Sequence, residues 1–266
     1  MPELDSWLWL LLLIPAYYLV IPVIVGLQQR YPATPIVTEL KLEELEKAHS
    51  EFLMTQTKAL FALGFDEPTL VRLPALTLVV SASAYLIMLV NRHAGDKAMV
   101  TVMLTSHGLV RLQTLYLEFC TGFEGGEEFN THNIPRVLAI PPAPLAIRTQ
   151  VPAVKDPREL YELHRFVLRK HDVGGKKILY EPGQALEHLI RCAFTKQYNV
   201  QVERGWMYYD RQSDHFRITL RGAYRITWGL MQPFKALRAM ALKRRAKRIL
   251  EEFHEACGPE PTKLES

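Results

Sequence analysis

SASAYLIMLVNRHAGDKAMVTVMLT, residues 81–105, holds two β-rich runs either side of His93-Ala-Gly-Asp96. It starts inside nineteen uncharged residues between Arg72 and Arg92, the length of a membrane helix. Pro74, Ser81, Ser83 and Asn91, the β-branched content and the turn that follows argue instead for buried strands. The pattern then repeats. RLQTLYLEFCTGF, residues 111–123, runs to Glu124-Gly-Gly-Glu127, and EFNTH follows. Two antiparallel hairpins are expected. Leu112, Thr114, Tyr116, Glu118 and Cys120 alternate with Gln113, Leu115, Leu117, Phe119 and Thr121, so one face is more apolar, as in a sheet covered by helices on one side.

Helices flank this block. Leu42, Leu45, His49, Phe52, Leu60 and Leu63 make one apolar face over 39–63, and Gly64 is a natural C-cap. Before it, YPATPIVT at 31–38 reads as a proline-broken linker. Five prolines between 134 and 155 imply an extended connection. Asp156-Pro157 then opens a helix to about Lys170, with Asp as N-cap and Pro at its first position. His164 and His171 share a face but lack a third ligand, so they read as ordinary surface or boundary histidines. A helix is expected over 183–198, continuing as a strand through Val200 and Val202. GWMYYD and HFRITL form a hairpin around RQSD. The last helix runs from Pro233 to about Ala256. Its apolar stripe changes face midway, as if it packs on the body first and then leaves. Residues 258–266 read as a disordered tail.

The other deciding stretch is Trp7–Leu27, WLWLLLLIPAYYLVIPVIVGL, twenty-one residues without a charge. As a helix it is roughly 31 Å long, enough to cross a bilayer. The leading residues carry Glu3 and Asp5 but no Lys or Arg, and no small-residue cleavage site follows, which excludes a secretory signal peptide. Pro15 and Pro22 are tolerable in a membrane helix. The hydroxyls of Tyr17 and Tyr18 near mid-span hint at a neighbouring helix. Lys and Arg flank only the second end, so the N-terminus is expected outside and the main domain in the cytoplasm. Cys120, Cys192 and Cys257 form no pair or zinc spacing, in keeping with a reducing compartment.

Charge is unevenly placed. From His215 to Leu250 there are ten Lys and Arg and no Asp or Glu, whereas the rest of the chain holds 22 basic and 28 acidic residues. An acidic body with a basic end is a statement about partners. With the anchor holding the domain at the bilayer, the basic helix is expected to meet anionic lipid headgroups. Trp228, Phe234, Lys235, Leu237, Arg238, Lys243, Arg244, Arg245, Lys247 and Arg248 are the candidate contacts. Nucleic acid is disfavoured, because no nucleic-acid-binding motif accompanies the charge.

Nucleotide, nucleophile-elbow and zinc-protease motifs are missing, and the sequence implies no cofactor, no metal site and no catalytic residue. The most chemistry-like cluster is EEFNTHN, where Glu127, Asn130, His132 and Asn133 are candidate ligand-binding residues at a sheet end. A short edge strand followed by a loop explains that pattern equally well.

GWMYYD, FRITLRGAYRITWGLMQPFKALR, the LGF after the first soluble helix and DPRELYELH together resemble a group of uncharacterised bacterial membrane-anchored proteins. The likeness covers most of residues 39–250. It implies a membrane anchor, a strand-rich middle and a basic C-terminal helix, and it carries over no functional residue. The expected architecture is α+β: a transmembrane anchor (1–30), a linker (31–38), a cytoplasmic domain (39–257) with an antiparallel sheet packed by helices and a basic C-terminal helix, and a tail (258–266). The expected role is binding or scaffolding at the membrane surface. The alternative is a membrane-tethered hydrolase, or a small-molecule or lipid-binding domain, using 127–133.

Overall fold

The computed structural model describes residues 3–73, 81–107, 110–138, 140–172, 174–181 and 186–257, without the side chains of 3–12, 81, 82, 106, 107, 110, 111 and 187. The expected tail at 258–266 lies outside these residues. So does the 74–80 portion of the uncharged stretch. The fold is mixed α+β.

Helix α1 (Glu3–Gln28) leads into β1 (Arg30–Pro32), β2 (Thr38–Glu39), a short 3-10 turn and α2 (Lys47–Ala62). Then come β3 (Asp66–Leu73), β4 (Ser81–Asn91), β5 (Asp96–His107), β6 (Val110–Gly122), β7 (Glu128–His132) and β8 (Ala146–Gln150). Helices α3 (Pro157–His171) and α4 (Leu186–Glu203), the hairpin β9 (Met207–Asp210) and β10 (His215–Ile218), α5 (Leu220–Trp228) and α6 (Phe234–Cys257) complete the chain.

Strands β2 to β8 form one seven-stranded sheet in sequence order. Both expected hairpins are present, β4 with β5 and β6 with β7, each antiparallel. The β7–β8 pair is parallel, so the sheet is mixed rather than purely antiparallel. The proline-rich 134–155 stretch therefore contains a strand that periodicity could not show. β7 lies between β6 and β8, so EFNTH is an interior strand and not an edge.

Both faces of the sheet are covered, where the sequence suggested one. The YLIMLV run at 85–90 is apolar at both parities, so it feeds two cores. On one face Ile87, Leu89, Val100, Leu117 and Phe119 meet Leu53 and Leu60 of α2, Leu160, Leu163 and Val167 of α3, and Phe253 of α6. On the other face Leu86, Met88 and Val90 meet Leu186 and Ile190 of α4. Each such side chain contributes about 1.5–3 kcal/mol on burial.

Local signals were reliable at helix ends. Asp156 accepts from the Glu159 amide at 3.1 Å, with Pro157 at the first position of α3. At the end of α2, Gly64 has φ +84°; its amide donates to Phe61 O at 3.0 Å and the Phe65 amide to Leu60 O at 3.1 Å. That paired closure needs a left-handed residue, which glycine supplies without steric cost.

Four expectations change. Residues 31–38 are no free linker: β1 pairs with β10, β10 with β9, and Tyr31 and Val37 are buried. Val200 and Val202 continue α4 rather than starting a strand. The expected strand HFRITL stops at Ile218, and Leu220 already opens α5, a helix capped by Thr219 Oγ1, which accepts from the Gly222 amide at 3.1 Å. And α6 packs in the reverse sense: its later residues Ala246 and Phe253 are buried in the body, whereas Phe234, Leu237 and Met240 in its first turns are exposed.

Among the described residues, no helix is long and apolar enough to cross a membrane. The side chains of Trp7 to Leu12, the first part of the uncharged run, lie outside them.

Candidate functional site

Strand register brings together residues that the sequence keeps far apart. Lys97, Cys120, Asn130 and Arg148 lie side by side across β5 to β8, and Met99, Glu118, His132 and Gln150 form the next row. Residues two apart on a strand share a face, so Glu128, Asn130 and His132 project together. Asn130 Nδ2 and the Cys120 thiol both donate to Glu128 Oε1, at 3.1 and 3.4 Å. Lys196 of α4 lies 3.6 Å from Glu128 Oε2. The result is a polar patch beneath α4, inside a mostly apolar layer.

Electrostatics follow from that enclosure. Desolvation pushes Glu118 up to about 7, Arg148 pulling against it and Glu128 adding to it. Desolvation also drives His132 down to about 3, helped by Arg148. Its ring is 1% exposed, and neither nitrogen has a partner among the described residues. Burial would raise Glu128, but Lys97 and the hydrogen bonds from Asn130 and Cys120 hold it below the usual carboxylate range. The Cys120 thiol is pushed far up by burial, so it is no thiolate at neutral pH.

The four sequence-based candidates divide. Asn130 and His132 belong to the patch. Asn133 is a structural tie: its Oδ1 accepts from the Leu117 amide at 2.8 Å, and its Nδ2 donates to Val154 O at 3.0 Å. Glu127 sits in the turn before β7, its carboxylate folded against Gly125. Glu118, Glu128, Lys97 and Arg148 were not singled out with them. Of these, Glu118 and Glu128 carried a signal, because a carboxylate at an inward position of a strand must find a partner. Arg148 carried none, since its strand was hidden among prolines.

A second buried polar chain runs on the opposite face. Thr131 Oγ1 and His164 Nδ1 are 3.0 Å apart, His164 Nε2 and Thr121 Oγ1 2.8 Å, and Thr121 Oγ1 donates to Asp96 Oδ1 at 2.5 Å. Asp96 also accepts from Tyr161 at 2.8 Å, Arg165 at 3.2 Å and Lys177 at 3.2 Å. One assignment satisfies every atom: Thr131 donates to Nδ1, Nε2–H donates to Thr121, and Thr121 donates to the carboxylate. His164 is fully buried, not a boundary residue, and desolvation lowers it to about 4, so the ring is neutral at pH 7. Burial opposes the Asp96 charge, but Thr121, His164, Tyr161 and Lys177 together leave its pKa lowered. This chain locks the β4–β5 turn to α3, and His171 lies beside Phe129, its ring tilted to it by 57°, instead of joining the chain.

The third cluster is at the C-terminal end. Helix α5 lies along the second half of α1. Trp228 Nε1 donates to Tyr18 O at 2.8 Å and Tyr224 Oη to Leu19 O at 2.9 Å. Tyr18 O is the carbonyl that an amide at position 22 would bond, and Pro22 has none. The indole thus fills a vacancy the proline creates. A Cβ added to Gly26 would lie 3.0 Å from Ala223 Cβ, so the helices meet at small residues. Of the candidate membrane contacts, Lys243, Arg244, Arg245, Lys247 and Arg248 are all exposed on α6, as are Lys235, Phe234 and Leu237.

Among the described residues, no group of three or more His, Cys, Asp and Glu is placed to hold a metal ion. No protein-family model, curated protein or solved structure matches the chain.

Proposed function

We propose that this protein is a membrane-anchored binding module. In this reading α1 crosses the bilayer, α5 packs along its second half with Trp228 at the depth of Tyr18, and the sheet-bearing body stands at the cytoplasmic surface. The observation that carries it is an apolar surface shared by three helices. Leu13, Val20, Ile24 and Leu27 of α1, Leu220 and Trp228 of α5, and Phe234 and Leu237 of α6 are all exposed, Leu27 at 73% and Leu220 at 62%. Exposed apolar side chains in this number on neighbouring helices need a partner. Lipid fits it, because α1 spans 26 residues, about 39 Å at the usual rise. A backbone group freed by proline inside a membrane needs a donor from a neighbouring helix, and Trp228 supplies one to Tyr18 O. Arg221, Arg225, Lys235 and Arg238 border the apolar surface, which favours the cytoplasmic leaflet and its anionic lipids. The resemblance to membrane-anchored bacterial proteins points the same way.

The test uses the full chain. It is expected to float with vesicles and to stay with them through an alkaline carbonate wash. A variant keeping only Trp228, by Trp7→Phe, Trp9→Phe and Trp206→Phe, is expected to lose fluorescence to lipids brominated deep in the acyl chain. Release by carbonate would overturn the anchor. A Trp228 signal indifferent to brominated lipid would overturn the placement of α5 in the membrane.

A further inference from the structure

A groove of about 460 Å³ lies between β8, the 137–142 segment and α6. Its walls differ in chemistry. Leu138, Ile140 and Leu242 make an apolar side, while Arg148, Arg238 and Arg245 supply three guanidinium groups and no carboxylate lines it. Arg238, Leu242 and Arg245 are spaced i, i+4, i+7, so α6 presents them on one face. None of the three arginines is in an ion pair within 4 Å among the described residues. Arg148 donates to Ile140 O at 3.2 Å and Arg238 to Gly229 O at 3.4 Å, so each is held in place while keeping other N–H groups to donate. Glu118 and Glu128 act on Arg148 from the sheet side, without direct contact. The net positive charge of the groove therefore comes from Arg238 and Arg245.

Position adds to the chemistry. Arg238 touches Gly229 at the end of α5, and the neighbouring Trp228 is bonded to α1. The groove thus opens beside the helices that the proposed anchoring places at the membrane. We infer that it binds a single anionic phospholipid, the phosphate held by Arg238 and Arg245 with Arg148 behind them, and one acyl chain against the apolar wall. Guanidinium forks match phosphate oxygens in geometry as well as charge. The apolar wall separates a lipid from a free anion. This inference rests on the membrane reading for its source of ligand, but its test does not.

The experiment takes the full chain in a zwitterionic detergent and titrates dioctanoyl phosphatidic acid, with inorganic phosphate in a parallel arm. Binding is read by native mass spectrometry and by calorimetry. The wild type is expected to bind the short-chain lipid saturably, at one site. Arg238→Gln with Arg245→Gln is expected to weaken it by about tenfold or more, the scale of one to two charge-assisted hydrogen bonds. Leu242→Ala, which alters only the apolar wall, is expected to weaken the lipid as well. Lys243→Gln with Arg244→Gln and Arg248→Gln, which removes more charge from the same helix outside the groove, is expected to leave binding within about twofold, because exposed charges act weakly across solvent. Unchanged thermal unfolding of each variant shows that the fold is kept.

Equal affinity for inorganic phosphate would make the groove an anion site and overturn the lipid assignment. Equal loss in the control triple variant would reduce the effect to diffuse charge and overturn the site. No saturable binding by the wild type would do the same. If carbonate releases the chain yet the short-chain lipid still binds, the anchor fails and the groove stands.

Discussion

His132 and His164 are both buried, on opposite faces of one sheet, yet their energetic roles differ. His164 bonds Thr121 and Thr131, whereas His132 has unpartnered ring nitrogens among the described residues. Removing a satisfied buried donor leaves its partners unpaired, at about 1–3 kcal/mol each. His164→Leu is therefore expected to destabilise by about 2–4 kcal/mol, while His132→Leu stays within about 1 kcal/mol of wild type or gains. Chemical denaturation of the detergent-solubilised chain reads the difference. Equal costs would place an ordered water or ligand on His132. The same residues set a pH response. Both histidines titrate in the fold below the unfolded value of about 6.5, so the unfolded chain takes up protons first and stability falls from about pH 6.5 towards 4. Glu118, raised to about 7, acts in the opposite sense: its contribution is full below about pH 4.3 and is lost as pH rises through 7. Glu118→Gln is thus expected to steepen the loss of stability between pH 6.5 and 4.5. Superimposable curves would return Glu118 to an ordinary carboxylate.

Among the elements, the α1–α5 pair joins the two ends of the chain. An indole that takes the place of the amide missing at Pro22 couples positions 22 and 228 energetically. Trp228→Phe keeps most of the packing and loses the donor to Tyr18 O, at about 1 kcal/mol. Pro22→Ala restores the amide that would bond the same carbonyl. In that background Trp228→Phe is expected to cost little, and a double-mutant cycle on thermal unfolding in nanodiscs gives the coupling directly. Additive effects would show that the indole does not substitute for the missing amide. Close approach elsewhere in this region is equally specific. A Cβ at Gly222 would lie 2.0 Å from Trp206 O, a clash with backbone that no rotamer relieves. Neither feature was legible in the sequence. LRGAYRITW has no helix start signal beyond Thr219, and the partner of Trp228 is some two hundred residues away along the chain.

For the whole molecule, the membrane reading fixes a topology that two exposed thiols report. Cys192 and Cys257 are exposed and Cys120 is buried. With the body on the cytoplasmic side, an impermeant maleimide is expected to label neither in intact spheroplasts and both after lysis. Labelling before lysis would reverse the orientation drawn from the flanking charges. The body's size also bears on the acidic–basic asymmetry. The basic residues of α6 surround the part of the helix that packs on the sheet, so the charge is presented on the outer side of a fixed element and not on a free arm.

By itself, the sequence determined what depends on neighbours along the chain. Alternation and turn residues placed β4 to β7, Asp156-Pro157 opened α3, Gly64 closed α2, and the uncharged Trp7–Leu27 run set the expectation of an anchor. These are short-range matters of backbone preference and periodicity. Features that depend on distant partners came from the folded molecule alone. Strand register joined Glu118 to His132 and Asn130 to Arg148, parallel pairing with β7 made a strand of 146–150, and packing chose which stripe of α6 faces the body. Each is a contact between residues remote in sequence, and its free energy comes from burial and pairing that no local window contains.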